Sequence, residues 1–183
     1  MGAFQHFDNE KAHFGVKKTI PASTHKKVVA LFLDRPPIKG YLDPSTLGRA
    51  ETIDLLTPEG ERRSISLADV KSVHFVREFT DAYDLERRTF LSRPKLDGLW
   101  VRLRFRDNDV IEGIVSNNLV DLLDAGIQLT PPDLHGNCLR IFIPRSALVE
   151  MKVLGVVGVA RQTKKESAAA RAATASQPKL FNE

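Results

Sequence analysis

The sequence predicts an all-β protein built from two tandem five-stranded small barrels, joined by a short helical linker and flanked by flexible tails. Two observations carry that prediction. The segment VVALFLDRPPIKGY (28–41) recurs as VRLRFRDNDVIEGI (101–114), 73 residues later, and internal repeats are the first thing a fold assignment must respect. In the second copy Val101, Leu103 and Phe105 alternate with Arg102, Arg104 and Arg106, the period-two pattern of a half-buried strand.

In the first segment Val28, Phe32, Asp34, Ile38 and Gly40 align with Val101, Phe105, Asp107, Ile111 and Gly113. The shift of 73 holds to Leu56-Thr57-Pro58 over Leu129-Thr130-Pro131. It becomes 78 for Ile65, Val70, Val73 and Phe75 over Ile143, Leu148, Met151 and Val153, so the second copy has a longer loop at PPDLHGNC. Strands are expected at Ile38–Leu42, Thr52–Leu56, Arg63–Ser66 and Val70–Val76, and again at Val110–Val115, Gly126–Leu129, Leu139–Ile143 and Leu148–Leu154. Asp107-Asn108-Asp109 reads as a turn. Five short strands with one tight turn before the last suggest a closed small barrel in each copy. The linker, TDAYDLERRTFLSRPKLDG, offers Thr80 or Asp81 as a helix cap and Pro94 as a stop. The domain boundaries follow: an arm over 1–24, units over 25–79 and 98–160, a linker over 80–97, and a disordered Ala/Ser-rich tail over 161–183.

The net charge of +4 sits in the tails. Residues 1–26 carry four lysines against Asp8 and Glu10, and residues 161–183 carry five basic residues against two glutamates, which leaves the units slightly acidic. A basic tail on a near-neutral body does not read as a general polyanion binder. No apolar run approaches the ~20 residues of a membrane span, and the lone Cys138 excludes an internal disulfide. These features predict a cytoplasmic protein with no membrane partner.

The motif Ala30-x-Phe32-x-Asp34, then Ile38-x-Gly40, resembles the opening motif of Sm-like proteins, and it recurs at Leu103-x-Phe105-x-Asp107, then Ile111-x-Gly113. A residue without Cβ suits the bend of the second strand. The resemblance implies small barrels, in a family that reads single-stranded RNA. That family uses an Asn after the second strand and an Arg-Gly turn before the last. Here Asn117 and Asn118 come earlier, Arg145-Ser146 stands in part for the turn, and the first copy has Leu67-Ala68 there. A second resemblance lies in Asp43-x-Ser45-x-x-Gly48, which is similar to half of the PilZ motif for cyclic di-GMP; the arginine pair that completes that motif does not precede it. The plain alternative for this string is a capped turn.

No catalytic signature accompanies the repeats. The histidines are scattered, and only His135 and Cys138 are close, too few ligands for zinc. No G-x-S-x-G elbow, phosphate loop or dinucleotide fingerprint is present. The sequence therefore predicts no enzyme, no cofactor and no metal. Arg102, Arg104 and Arg106 lie about 7 Å apart on one strand face, given a rise of ~3.3 Å per residue. Together with Arg145 they form a candidate row for weak nucleic-acid binding, or a solvated face paired with carboxylates. The matching positions in the first copy, Val29, Leu31 and Leu33, are apolar and predict an interface with the second unit, the linker or another subunit.

The tail supplies the most specific functional string. Gln177-Pro178-Lys179-Leu180-Phe181 fits Q-x-x-L-F and resembles the peptide by which bacterial polymerases and repair factors dock on the sliding clamp. That resemblance implies Leu180 and Phe181 as paired apolar anchors and Gln177 as an orienting amide. The leading reading is a non-enzymatic two-barrel adaptor, acting near nucleic acid and tethered by its tail. The alternatives are a PilZ-like sensor using Asp43, Ser45 and Gly48, and a structural scaffold that self-associates into a homo-oligomer.

Overall fold

The computed structural model describes residues 24–81, 85, 87–118, 120 and 125–158. Ten strands account for its regular structure: β1 Lys26–Phe32, β2 Ile38–Leu42, β3 Thr52–Leu56, β4 Arg62–Ser66, β5 Val70–Val76, β6 Gly98–Phe105, β7 Val110–Val115, β8 Gly126–Leu129, β9 Cys138–Pro144 and β10 Leu148–Val157. All ladders are antiparallel. The protein is all-β, as its alternating apolar pattern predicts. No helix among the described residues is long and apolar enough to cross a membrane.

The repeat extends to the pairing register. Val28 pairs with Gly40 and Ala30 with Ile38; Val101 pairs with Gly113 and Leu103 with Ile111. Phe75 and Val73 lie opposite Val28 and Ala30, as Val153 and Met151 lie opposite Val101 and Leu103. Both fifth strands also slip register beside the motif phenylalanine, Phe32 or Phe105. Each unit buries its own core. The first gathers Val28, Leu42, Ile53, Leu55 and Val73, and the second Val101, Leu103, Leu129, Ile141 and Ile143. Phe32 and Phe105 occupy matching places in the two.

Two expectations need correction. Neither unit closes into a barrel. Strands β4, β3, β2, β1 and β5 run in order, and the next strand is β9, not β4. The turns Leu67–Asp69 and Arg145–Ala147 send each fifth strand back to the first strand of its unit. The edge of β5 that would complete the first barrel is thus taken by the second unit. In the second unit β7 and β8 meet only at one bridge, Ile114 with Thr130. The linker helix is likewise not seen at residues 85 and 87–97, which run through bends without helix; residues 82–84 and 86 lie outside the described residues. The arm over 1–23 and the tail from 159 onward also lie outside them.

The motif glycines have a more specific reason than a bend. A Cβ on Gly113 would lie 2.3 Å from Cγ of Leu129, which is fully buried, and one on Gly40 would lie 2.9 Å from the Leu56 carbonyl oxygen. The third strand crosses too close to the second for any side chain. Gly113→Ala should therefore cost about 1–3 kcal/mol through overpacking. Gly155→Ala, where nothing lies within 4 Å, should stay within about 0.5 kcal/mol. Urea denaturation of the two variants beside the native chain measures the difference, and equal costs would remove the steric explanation.

Candidate interaction surface

The two units are held by a seam of mixed character. At its centre β5 pairs with β9 through Val73–Phe142, His74–Ile141 and Phe75–Arg140. Alternation along β9 sends Ile141 and Ile143 into the second core and Phe142 into the first. Beyond the ladder, Asn137 clasps Glu78: its amide donates to the Glu78 carbonyl and its Oδ1 accepts from the Glu78 N–H, both at 2.9 Å. At the other end Lys71, on β5, donates to Asp107 and, at 2.6 Å, to Asp109, both in the β6–β7 turn. Burial alone would lower the Lys71 pKa, but the two carboxylates outweigh it and raise it. Arg88 from the linker reaches Asp109 at 3.3 Å. The turn that sequence reading treats as a simple reversal is thus a docking point for the first unit.

The arginine row is largely neutralised. Arg102 donates through Nε and Nη2 to Glu112 at 3.1 and 2.8 Å. Glu112 is buried at 3% exposure and also accepts from the Trp100 indole and the Phe90 N–H. Burial pushes its pKa up, but Arg102 and these donors prevail and hold it below the ordinary value. Arg104 pairs with Glu150 at 3.3 Å. Arg106 is exposed, and Arg145, in the turn before β10, is exposed beside the start of that strand.

The remaining candidates are dispersed. Val29 is buried at 3% exposure, Leu31 is half-buried, and Leu33 is exposed. Leu31 lines a cavity of about 50 Å³ with Leu85 and Arg88 of the linker and Phe105 and Ile111 of the second unit. Asp43 and Ser45 engage each other: Asp43 Oδ1 accepts the Ser45 N–H at 2.9 Å, which holds the aspartate pKa below its ordinary value. Gly48 takes φ +77° to end that turn, a conformation that suits glycine. The string Asp43–Gly48 thus forms a capped turn. Burial drives the Cys138 thiol up to about 12, so it remains protonated at neutral pH. No group of three or more His, Cys, Asp or Glu able to hold a metal occurs among the described residues. Gln177, Leu180 and Phe181 lie outside the described residues.

Two clefts lie along the seam. One, of about 390 Å³, includes Gly48, Asp97, Ser116, Gln128 and Arg140, with Arg140 donating to Gln128 at 3.0 Å. The other, of about 540 Å³, lies where residues of the two equivalent turns meet, at Ser66, Ala68 and Ser146, beside Arg49 and Glu51. Their ionisable groups are mixed in sign, and neither gathers side chains into a catalytic arrangement.

The least satisfied surface is β10. This ten-residue strand pairs with β6 on one side only. Met151 and Val153 lie opposite the core residues Leu103 and Val101, so they occupy the core face of the sheet, yet they are 37% and 53% exposed. Their counterparts in β5, Val73 and Phe75, are buried, and Phe142 from the second unit joins the core they line. Among the described residues the second unit has no equivalent cover. Sequence reading placed the exposed apolar face on Val29, Leu31 and Leu33; the signal for β10 was its run LVEMKVLGVV, apolar at both parities.

The Glu112 cluster yields a test. A carboxylate whose folded pKa is lowered contributes stability that is present above the unfolded value, about 4.3, and lost as pH falls through the folded one. Because Arg102 is half exposed, the pair itself is screened. Glu112→Gln should cost about 1–2 kcal/mol at pH 7 and flatten the loss of stability in acid. Thermal denaturation as a function of pH checks both; an unchanged acid limb would remove Glu112 from the account. No curated protein and no solved structure matches the chain. A family model does match, over residues 24–155, from the start of the first unit nearly to the end of β10, and the chain belongs to that family, a family of unknown function (DUF6982).

Proposed function

We propose that the chain is a non-enzymatic adaptor of the cytoplasm, a two-unit β scaffold that works by docking other macromolecules. The observation that carries this reading is β10, an open edge strand whose apolar core face lacks the cover its counterpart β5 has. Long exposed edges are a liability that proteins blunt unless a partner occupies them, and exposed apolar patches mark interaction sites. The Sm-like reading of the two units is supported by the motif that recurs at Ile38-x-Gly40 and Ile111-x-Gly113 and by the register its residues share. In this reading Gln177, Leu180 and Phe181 form the tether to a sliding clamp, and their Q-x-x-L-F spacing is the support for it.

The nucleic-acid side of the reading is weak by charge. Glu112 and Glu150 neutralise Arg102 and Arg104, so along this row a phosphate backbone would meet chiefly Arg106. Binding to single-stranded RNA or DNA should be weak and strongly salt-dependent. Arg106→Glu should reduce it more than Arg104→Glu does.

The tether is tested with purified sliding clamp and fluorescently labelled full-length chain. Anisotropy should report a micromolar Kd, an ordinary value for a short docking peptide. Leu180→Ala with Phe181→Ala should weaken it at least tenfold. Equal binding by native and tail-substituted chains, or none by either, would remove the clamp from the proposal.

A further inference from the structure

We propose that the partner of β10 is a second copy of the chain, its own β10 running antiparallel about a two-fold axis at Met151. This inference rests on the reading of β10 as the docking edge.

The internal seam shows what such an edge accepts. Strand β5, the counterpart of β10, carries a strand on each side, β1 and β9. The partner strand brings Phe142 over the core face of β5. The repeat suggests β4 as the equivalent partner for β10, since β4 and β9 correspond. Its residues do not serve. Transferring the register of the β5–β9 ladder places Arg62, Arg63 and Ser64 against Val153, Lys152 and Met151, where β5 meets Arg140, Ile141 and Phe142. Arg63 would oppose Lys152, and like charges directly opposite destabilise a ladder. Ser64 would stand where Phe142 covers the first core.

Strand β10 complements itself. Centred on Met151, an antiparallel self-pair sets Val149 against Val153, Glu150 against Lys152 and Leu148 against Leu154. Each apolar residue meets an apolar residue, and both charged residues meet the opposite sign twice across the axis. Glu150 and Lys152 already pair within one copy at 3.0 Å, so both heads lie on one face of the sheet. Shifting the centre by half a residue opposes Met151 to Lys152 and Glu150 to Val153, which sets the register. The stretch between the two register slips of β10, Glu150–Val153, holds the centre of this pair. A two-fold, self-complementary contact closes at two copies and leaves neither β10 edge open.

Sedimentation velocity of the full chain, from about 1 to 100 μM, the span in which modest homodimers dissociate, should show a species of twice the 20.4 kDa chain mass. Val153→Lys should abolish it. Glu150→Lys alone and Lys152→Glu alone should each weaken it about tenfold, and the two together should restore it. Because Glu150 also holds Arg104, matched thermal midpoints establish that each variant is folded. In a Cys138→Ser background, Met151→Cys should oxidise to a covalent dimer, since only a two-fold pairing sets residue 151 beside itself. A monomer at every concentration overturns the pairing, as does a dimer indifferent to the charge exchange or one linked through Met151→Cys with Arg63→Cys but not through Met151→Cys alone. A monomer that still binds clamp through its tail refutes the pairing and leaves the adaptor standing; a dimer that ignores clamp refutes only the tether.

Discussion

The ladder between β5 and β9 is the constraint on which the rest of the structure depends. It makes one strand serve two cores. Ile141 and Ile143 complete the second core, while Phe142, one residue away, enters the first. Since successive side chains point to opposite faces, a one-residue slip of β9 would withdraw both contributions together. The first unit is therefore not an independent body: β9, which helps seal its core, belongs to the second. The same pairing keeps it from closing on itself, because the outer edge of β5 has one set of backbone donors and acceptors, and β9 takes them.

Charge follows this geometry. The units face each other across a seam in which Lys71 sits at 14% side-chain exposure between Asp107 and Asp109. A buried ammonium is costly unless paired, and here two carboxylates from the opposite unit satisfy it. Asp107 corresponds to Asp34 in the first copy, where the neighbouring Arg35 lies 3.6 Å from Asp69 of the same unit. One motif position thus sits in an internal surface setting in the first unit and in an inter-unit contact in the second. The difference is in the partner strand, since Lys71 lies on β5 and its counterpart on β10 is Val149. Where the first unit offers a cation to its neighbour, the second offers an exposed valine.

Much of the fold was legible in the sequence, and the reason is periodicity. Alternation at Val101, Leu103 and Phe105, the recurrence of Gly40 as Gly113, and the five-residue loop insertion set the strands and the equivalence of the two copies. Barrel closure was not legible, because the choice between β4 and β9 as the neighbour of β5 turns on Phe142, one ring whose destination depends on both units at once. The linker helix was over-read from a cap and a stop, Thr80 or Asp81 and Pro94, without an apolar stripe between them. The arginine row was half legible: its spacing along β6 is as expected, but Glu112, the carboxylate that neutralises Arg102, looks in the sequence like one more charged residue on a strand. Its burial follows from Trp100 and Phe90, which cover it from the strand beside it and from the linker.

The open side of β10 is the counterpart of the closed side of β5. Two repeats joined head to tail satisfy one junction, β5 with β9, and leave its two counterparts, β4 and β10, each at the edge of a sheet. The ends have diverged in opposite ways. The β4 end carries Arg62 and Arg63, the kind of charged edge that resists strand addition. The β10 end keeps Met151, Val153 and Val156 exposed on the core face of the sheet. In the proposed reading β10 is the edge that binds, and it is there that the chemistry of a partner must be matched.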